Sequence, residues 1–387
     1  MRILHTGDWH VGKTLFGRSR LSEHEQVLRE IVDIARREQV DCVLVAGDVY
    51  DSFTPSAEAE RLVCDTLAEI AGSGIATVVI GGNHDHPKRL AALRNLGDPL
   101  RIYVRPEPCG PSNGGVIELR GRGNERAHIA VLPWVPEHRV IDIGQTRNPE
   151  DEWYATYSEQ VARMCEVLVA SMPVDTVSVL LAHLYVHDAE VSGSEKQVHV
   201  AKPLAVSPAR LPNVQYAALG HLHKPQRLHG TPRVYAGSPL QMDFGEAGQE
   251  KTVTLVDVKA GKPADLRSLS LTGGRRLRRV VCRLDGLAAK VDECGDDWLQ
   301  VVVESSTHVS GLAQQVCEIL PNALVVEQRT NEAREKAAAA AARPVEPRKL
   351  FELFLREQKD TAASPEILAK FEALYREARN ETDLARD

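Results

Sequence analysis

The stretch Val78-Val79-Ile80-Gly81-Gly82-Asn83-His84-Asp85 is an apolar run that breaks at two glycines and at once presents an amide, an imidazole and a carboxylate. A buried strand fixes whatever follows it, and glycines let the backbone turn sharply enough to bring polar side chains against an ion or a phosphate. The run reads as a strand end that carries an active site. Four residues are a weak signal by themselves, but the pattern recurs. Asp8 and His10 follow a short apolar strand within Met1 to Thr6, and Asp48 follows Cys42-Val43-Leu44-Val45-Ala46. His183 closes the strand Thr176 to Ala182, and His221 and His223 follow Tyr216-Ala217-Ala218-Leu219. A lone buried histidine is more often a satisfied core residue than a ligand, and His5 and His24 are read that way. For the others, accident would have to repeat at every strand end.

Between the strands lie helical patterns. In Ser22 to Arg37 the residues Val27, Leu28, Ile31, Ile34 and Ala35 recur at helical spacing, with Ser22 as N-cap; a second helix spans roughly Ser56 to Ala71. Alternating strands and helices predict a layered α/β domain. Further on come a strand at Ala127 to Pro133, a helix at Tyr154 to Val169, and two runs, Arg233 to Ala236 and Lys251 to Val258, expected to close the sheet as an antiparallel pair. This first domain covers 1–272. A small α/β module follows at 273–330, then an alanine-rich charged linker at 331–347, stopped by Pro344 and Pro347. Residues 348–387 carry two amphipathic helices, one striped by Leu350, Phe351, Phe354 and Leu355, the other by Ile367, Leu368, Phe371, Leu374 and Tyr375 behind an N-cap at Ser364.

The 387 residues, 43% hydrophobic and 26% charged, suffice for two or three domains with full cores. No apolar run approaches the roughly 18 residues of a membrane helix, and the start lacks the h-region of a signal peptide, so a cytoplasmic location is expected. Seven scattered cysteines without a CxxC pair argue for free thiols rather than disulfides or a thiolate zinc site. A net charge of -7 argues against gripping DNA by long-range attraction alone. Local basic clusters remain, densest at Arg275-Arg276-Leu277-Arg278-Arg279, with Arg18/Arg20 and Lys88/Arg89 after the site loops; solvated faces explain them equally well.

Asp8, His10, Asp48, Asn83, His183, His221 and His223 offer oxygen and imidazole donors only, a set that suits Mn, Fe or Zn. Seven donors are too many for one ion and enough for two that share a carboxylate. Two ions roughly 3.5–4 Å apart activate a water and stabilise the charge of an in-line displacement. His84 beside them is placed to protonate the leaving oxygen or stabilise the transition state, with Asp85 expected to hold its ring. His86 and His187 stay unassigned, and Asp51 is read as a partner of a ligand rather than merely a turn residue.

In their order and spacing, Asp8-x-His10, Gly47-Asp48-x-x-Asp51, Gly82-Asn83-His84-Asp85, His183 and Gly220-His221-x-His223 resemble the five motifs of the calcineurin-like metallophosphoesterases. The first ten residues and Ala236-Gly237-Ser238-Pro239 resemble its DNA-nuclease branch. The resemblance implies a metallophosphoesterase β-sandwich flanked by helices, with a small α/β capping domain that contacts DNA and a C-terminal helical pair. It implies two divalent ions, manganese in this family, one on Asp8, His10, Asp48 and His223, the other on Asp48, Asn83, His183 and His221, with His84 catalytic. It also implies an SMC-like ATPase partner, on whose coiled coil the helical pair would dock, and a nuclease homodimer within a heterotetramer acting on DNA. Some relatives carry histidine where Asp51 stands.

Two other readings compete, an inactive scaffold and a stand-alone phosphoesterase for a protein or a small nucleotide. Intact donors argue against an inactive scaffold. A phosphoprotein phosphatase of this family would show Asp-Arg-Gly after the second motif and Glu after Asn-His, where this chain has Asp51-Ser52-Phe53 and Asp85. A stand-alone phosphodiesterase for a small nucleotide remains the alternative, since the metal site does not report substrate size.

Overall fold

The computed structural model describes residues 1–97, 100–136, 150–195, 204–228 and 231–330, and beyond them only 351, 364, 367, 368, 370 and 371. Two six-stranded sheets dominate. Across the first, the strands run Asp265–Ser270, Thr252–Asp257, Arg2–Thr6, Cys42–Val45, Ala76–Ile80 and Ile102–Arg105; across the second, Gln226–Arg227, Arg233–Tyr235, Tyr216–Gly220, Val177–His183, Arg126–Leu132 and Val116–Arg120. Arg2–Thr6, Cys42–Val45, Ala76–Ile80 and Ile102–Arg105 pair in parallel, with Ile3 opposite Cys42, Leu44 opposite Val78 and Val79 opposite Val104. Every residue of Cys42–Val45 and Ala76–Ile80 is buried, which is why these segments read as unbroken apolar runs rather than alternating ones.

The alternation appears instead in what each side chain meets. Ile3, Leu44, Val78 and Ile80 from the first sheet share one core with Ile129, Val131, Val179, Leu181 and Ala218 from the second, so the inner faces pack as a sandwich. Their neighbours Leu4, Val43, Val45 and Val79 turn outward to Val27, Leu28 and Ile31 of helix Leu21–Arg37 and Val63 and Leu67 of helix Ala57–Gly72. On the far side, Ala130, Leu180 and Leu219 meet Val161, Cys165 and Leu168 of helix Glu150–Ala170. The order helix, sheet, sheet, helix is the expected layered α/β architecture.

Two local expectations change. The first helix begins at Leu21 with Arg20 as N-cap and no side-chain cap bond, because a guanidinium only donates and cannot accept a helix N–H; fully buried, Arg20 donates from Nη2 to Glu23 Oε2 at 2.7 Å. Arg20 is thus a core ion pair and no part of a basic surface. Arg233–Tyr235 and Thr252–Asp257 do not pair with each other. The former lies parallel to Tyr216–Gly220 in the second sheet and the latter antiparallel to Arg2–Thr6 in the first, since Gly237, at φ 73°, turns the chain out of one sheet where a Cβ would press within 2.6 Å of His223 O. Ser56 caps the second helix, accepting from Ala59 N.

Leu277–Arg283, Trp298–Ser305 and Ala323–Thr330 form a three-stranded sheet in that order, with helix Leu312–Ile319. The chain divides into two compact units, one of Met1–Val280, Ala289–Val301 and Leu320–Val325, the other of Val281–Ala288, Val302–Ile319 and Val326 onward. The linker 331–347 and most of the helical pair lie outside the described residues. Within the pair, Ile367 N donates to Ser364 Oγ at 3.3 Å, as an N-cap there requires. Phe351 stacks on Phe371 with centroids 4.2 Å apart. Among the described residues no helix is long and apolar enough to cross a membrane.

Candidate metal centre

The site sits in the first unit, where five strands deliver their carboxyl-terminal loops, the end of an open α/β sheet at which ligands collect. Three of the loops bend in a way that side chains rarely tolerate. Asp8, His10, Asp48 and His221 have φ of 48°, 47°, 47° and 109°, a left-handed backbone that non-glycine residues adopt mainly where the surroundings over-determine it. The glycines are as demanding. A Cβ on Gly82 would collide with Asp48 Oδ1, so only glycine lets the Asn83 loop close onto that carboxylate.

All seven expected donors converge. Asp48 Oδ2 lies 3.6 Å from His10 Nε2 and 3.6 Å from His183 Nε2, midway between two groups. On one side His10 Nε2 faces His223 Nε2 at 3.1 Å. On the other, Asn83 Oδ1 is 2.9 Å from His183 Nε2 and 2.9 Å from His221 Nδ1. Asp8 is fully buried, 3.9 Å from His183 Nδ1, and accepts the His221 backbone N–H at 3.0 Å. Donor atoms that share an ion at about 2.0–2.2 Å stand roughly 3–3.6 Å apart, close to the 2.9, 3.1 and 3.6 Å found among His10, Asp48, Asn83, His183, His221 and His223. The clusters Asp8, Asp48, His183 and His10, Asp48, His84 each bring their donor atoms within 4.8 Å of one another.

The electrostatics fit the same reading. Burial, and then the charge of Asp48, raise the Asp8 carboxyl well above the usual carboxylate range. Asp48 is pushed up by burial, yet His183, His10 and His84 hold it below its ordinary value. Two such carboxylates side by side are costly unless a cation stands between them. Burial lowers His10 to about 4 and lowers His183 as well, keeping the imidazoles neutral, the form that binds metal. A pair of divalent ions therefore fits the donors present.

The residues around the donors carry the corrections. Asp85 does not hold the His84 ring. Its buried carboxylate accepts Gly82 N at 2.9 Å, Tyr50 N at 3.0 Å and Val49 N at 3.1 Å, tying the second and third site loops together. The ring is held by the Asp51 carbonyl, which accepts from His84 Nδ1 at 2.8 Å, while Asp48 Oδ1 takes the His84 backbone N–H at 2.8 Å. The Asp51 carboxylate lies 3.3 Å from His10 Nδ1 and 3.2 Å from Lys13 Nζ. His5 and His24 are core histidines as expected, His5 against Tyr216 Oη at 2.7 Å and His24 against Arg20 O at 3.0 Å. The sequence pattern does not reveal Trp134, stacked on His221 at 5.1 Å, or the set behind His223: the half-buried Ser194 and the buried Glu195, Glu246 and Lys251.

Comparison with known proteins agrees with this geometry. Residues 1–225 match the family model described as calcineurin-like phosphoesterase, and 273–359 one described as type 5 capsule protein repressor C-terminal domain. The chain is 37% identical over 285 residues to the SbcD subunit of the SbcCD nuclease of Bacillus subtilis, covering 72% of this chain and 71% of that one. It is 34% identical over 313 residues to the subunit of that name from Rhodobacter capsulatus, covering 74% and 76%. With the Escherichia coli counterpart it shares 26% identity over 360 residues, 89% of this chain and 88% of the other. Matches of this identity and length, on a two-sheet core with five donor-bearing loops, show that the chain belongs to the calcineurin-like phosphoesterase family, on the branch of the SbcD nuclease subunits.

Proposed function

We propose that the chain is a manganese-dependent DNA nuclease, cutting double-stranded ends and hairpins or single strands, and that it works as the nuclease subunit of an SMC-like ATPase complex in DNA repair and recombination. The observation that carries the reading is the position of Asp48 Oδ2, equidistant from His10 Nε2 and His183 Nε2, where one carboxylate serves two donor groups. Asp8, His10, Asp48 and His223 would hold one ion, and Asp48, Asn83, His183 and His221 the other. When bound, the ions supply a nucleophilic water and charge stabilisation for phosphodiester hydrolysis. The protein does the rest. His84 gives its Nδ1–H to the Asp51 carbonyl; in the imidazolium form, with both nitrogens protonated, it gives the Nε2 proton to the leaving oxygen as the P–O bond breaks and is left as the neutral Nδ1–H tautomer. Asp85, by joining the Asp48 and His84 loops, sets the distance over which that transfer occurs.

Similarity to the SbcD subunits supports the remaining assignments: an SbcC-type ATPase docked by the C-terminal helices, a nuclease homodimer within a heterotetramer, and a cytoplasmic location at the nucleoid. The test is to incubate the purified chain with Mn²⁺ and labelled duplex, hairpin and single-stranded DNA, with and without the ATPase, beside a small cyclic nucleotide. Mn²⁺-dependent DNA cleavage that the ATPase stimulates is expected. Hydrolysis of the nucleotide with intact DNA would overturn the reading in favour of a stand-alone phosphodiesterase.

A further inference from the structure

His223 is held through both its backbone and its ring. Its backbone N–H donates to Glu195 Oε1 at 2.9 Å, and its carbonyl accepts from Lys251 Nζ at 2.9 Å and Ser238 N at 3.1 Å. Its Nδ1 lies 2.6 Å from Ser194 Oγ and 3.2 Å from Glu246 Oε1, and Ser194 Oγ in turn donates to Glu246 Oε1. Glu246 is fully buried; its other oxygen accepts Lys251 Nζ at 2.5 Å and Met242 N at 3.1 Å. Only Nε2 of His223 is left to face the site. A buried acid and a buried lysine bonded to each other fill space in many cores, and an apolar pair of equal volume often serves stability as well. Here the pair also bonds Met242 N, Ser238 Oγ and Gln249 Oε1, yet it reaches both the ring and the backbone carbonyl of one histidine.

We infer that Glu246, neutralised by Lys251 and relayed through Ser194, is a positioning residue that fixes His223 as an Nε2 metal donor. Resting on the metal assignment above, this adds the residues that set the ligand's tautomer and ring angle. A carboxylate that accepts the distal N–H of a ligating histidine orients the ring and raises its basicity, and its loss costs about 10–100-fold in metal affinity. In the relay Ser194 Oγ accepts the His223 Nδ1–H and donates its own O–H to Glu246 Oε1. Lys251 keeps the acid ionised and also clamps the His223 carbonyl, so it holds both ends of the residue.

The test is an Mn²⁺ titration of the full-length chain, followed by electron paramagnetic resonance and calorimetry, with the melting temperature measured alongside. Wild type should take up two ions, and His223→Ala should weaken one of them; a wild type that binds no Mn²⁺ would break the metal assignment itself. Given that baseline, Ser194→Ala and Glu246→Gln should each weaken one ion by roughly 10–100-fold and leave the other unchanged. The double variant Glu246→Leu/Lys251→Met, which removes the buried charges together, should melt near wild type and still show the weakened site. Ser194→Ala is a surface-proximal change that leaves the core intact, so it decides the matter if the Glu246 variants fail to fold. Wild-type affinity at both sites in Ser194→Ala and in the folded double variant would overturn the inference and return the pair to a core ion pair.

Discussion

The two sides of the site are built from different materials. On the His10 and His223 side the ligand rings lean on ionised groups: the Asp51 carboxylate is 3.3 Å from His10 Nδ1, and the Glu246–Lys251 pair stands behind His223. On the Asn83, His183 and His221 side Asp8 accepts the His221 backbone N–H, but two of the contacts that the rings make are neutral. His183 Nδ1 donates to the Ala46 carbonyl at 2.7 Å, and Trp134 stacks on the His221 ring at 26° between planes. A charged support raises the basicity of the imidazole it touches, whereas a carbonyl or an indole face mainly fixes its direction. The first side is therefore tuned by charge and the second by shape, with Asp48 belonging to both.

Replacing the shared residue should erase the distinction altogether. Asp48→Asn leaves both donor groups without their common charge, and Mn²⁺-dependent phosphodiester cleavage should fall to the uncatalysed background; substantial residual turnover would mean that no carboxylate is shared. His84→Ala comes next. It removes a proton donor and no ligand, so single-turnover cleavage should slow about 10²–10⁴-fold while Mn²⁺ uptake stays intact. Lost uptake would place His84 among the ligands, a position its proximity to His10 and Asp48 permits.

A milder contrast separates the two kinds of support. Trp134→Leu removes the face against which His221 stacks, a contribution of about 0.5–1.5 kcal/mol, and should lower kcat/KM by at most about tenfold at that energy. An effect as large as that of the Glu246 variants on metal affinity would show that shape is not the weaker brace. The smallest effect concerns substrate rather than chemistry. Arg278 is engaged with Asp297 at 2.9 Å and Arg275 lies over the Trp298 ring at 4.5 Å, so the exposed Arg276 and Arg279 are the members of the cluster available to phosphates. Arg276→Glu with Arg279→Glu should weaken duplex binding and flatten its salt dependence without changing hydrolysis of a small phosphodiester. Unaltered binding in a salt series would assign both residues to a solvated face.

The donors are legible in the sequence because each sits at the end of a strand buried on both faces, and such strands print themselves as apolar runs. Val78 to Ile80 and Cys42 to Val45 need no partner information to be read. The supports are not legible. Glu246 reaches His223 across 23 positions and Trp134 reaches His221 from another strand end, and neither lies in a motif whose spacing signals a metal. Asp85 misleads for a related reason: adjacency in sequence suggests a contact with His84, but a sharp turn sends its carboxylate back to the amides of Val49 and Tyr50. The pairing expected of Arg233–Tyr235 fails likewise, since β periodicity reports which residues are buried and not which sheet receives them.

The most direct test of a dinuclear site is the electron paramagnetic resonance spectrum of the chain titrated with Mn²⁺, read for stoichiometry and for exchange coupling between the ions. Two Mn²⁺ per chain with a coupled spectrum are expected in the wild type, and loss of the coupling in Asp48→Asn. A wild type that binds one ion, or two that are uncoupled, or an Asp48→Asn variant that keeps the coupled pair, would contradict the assignment of Asp48 as the residue both ions share.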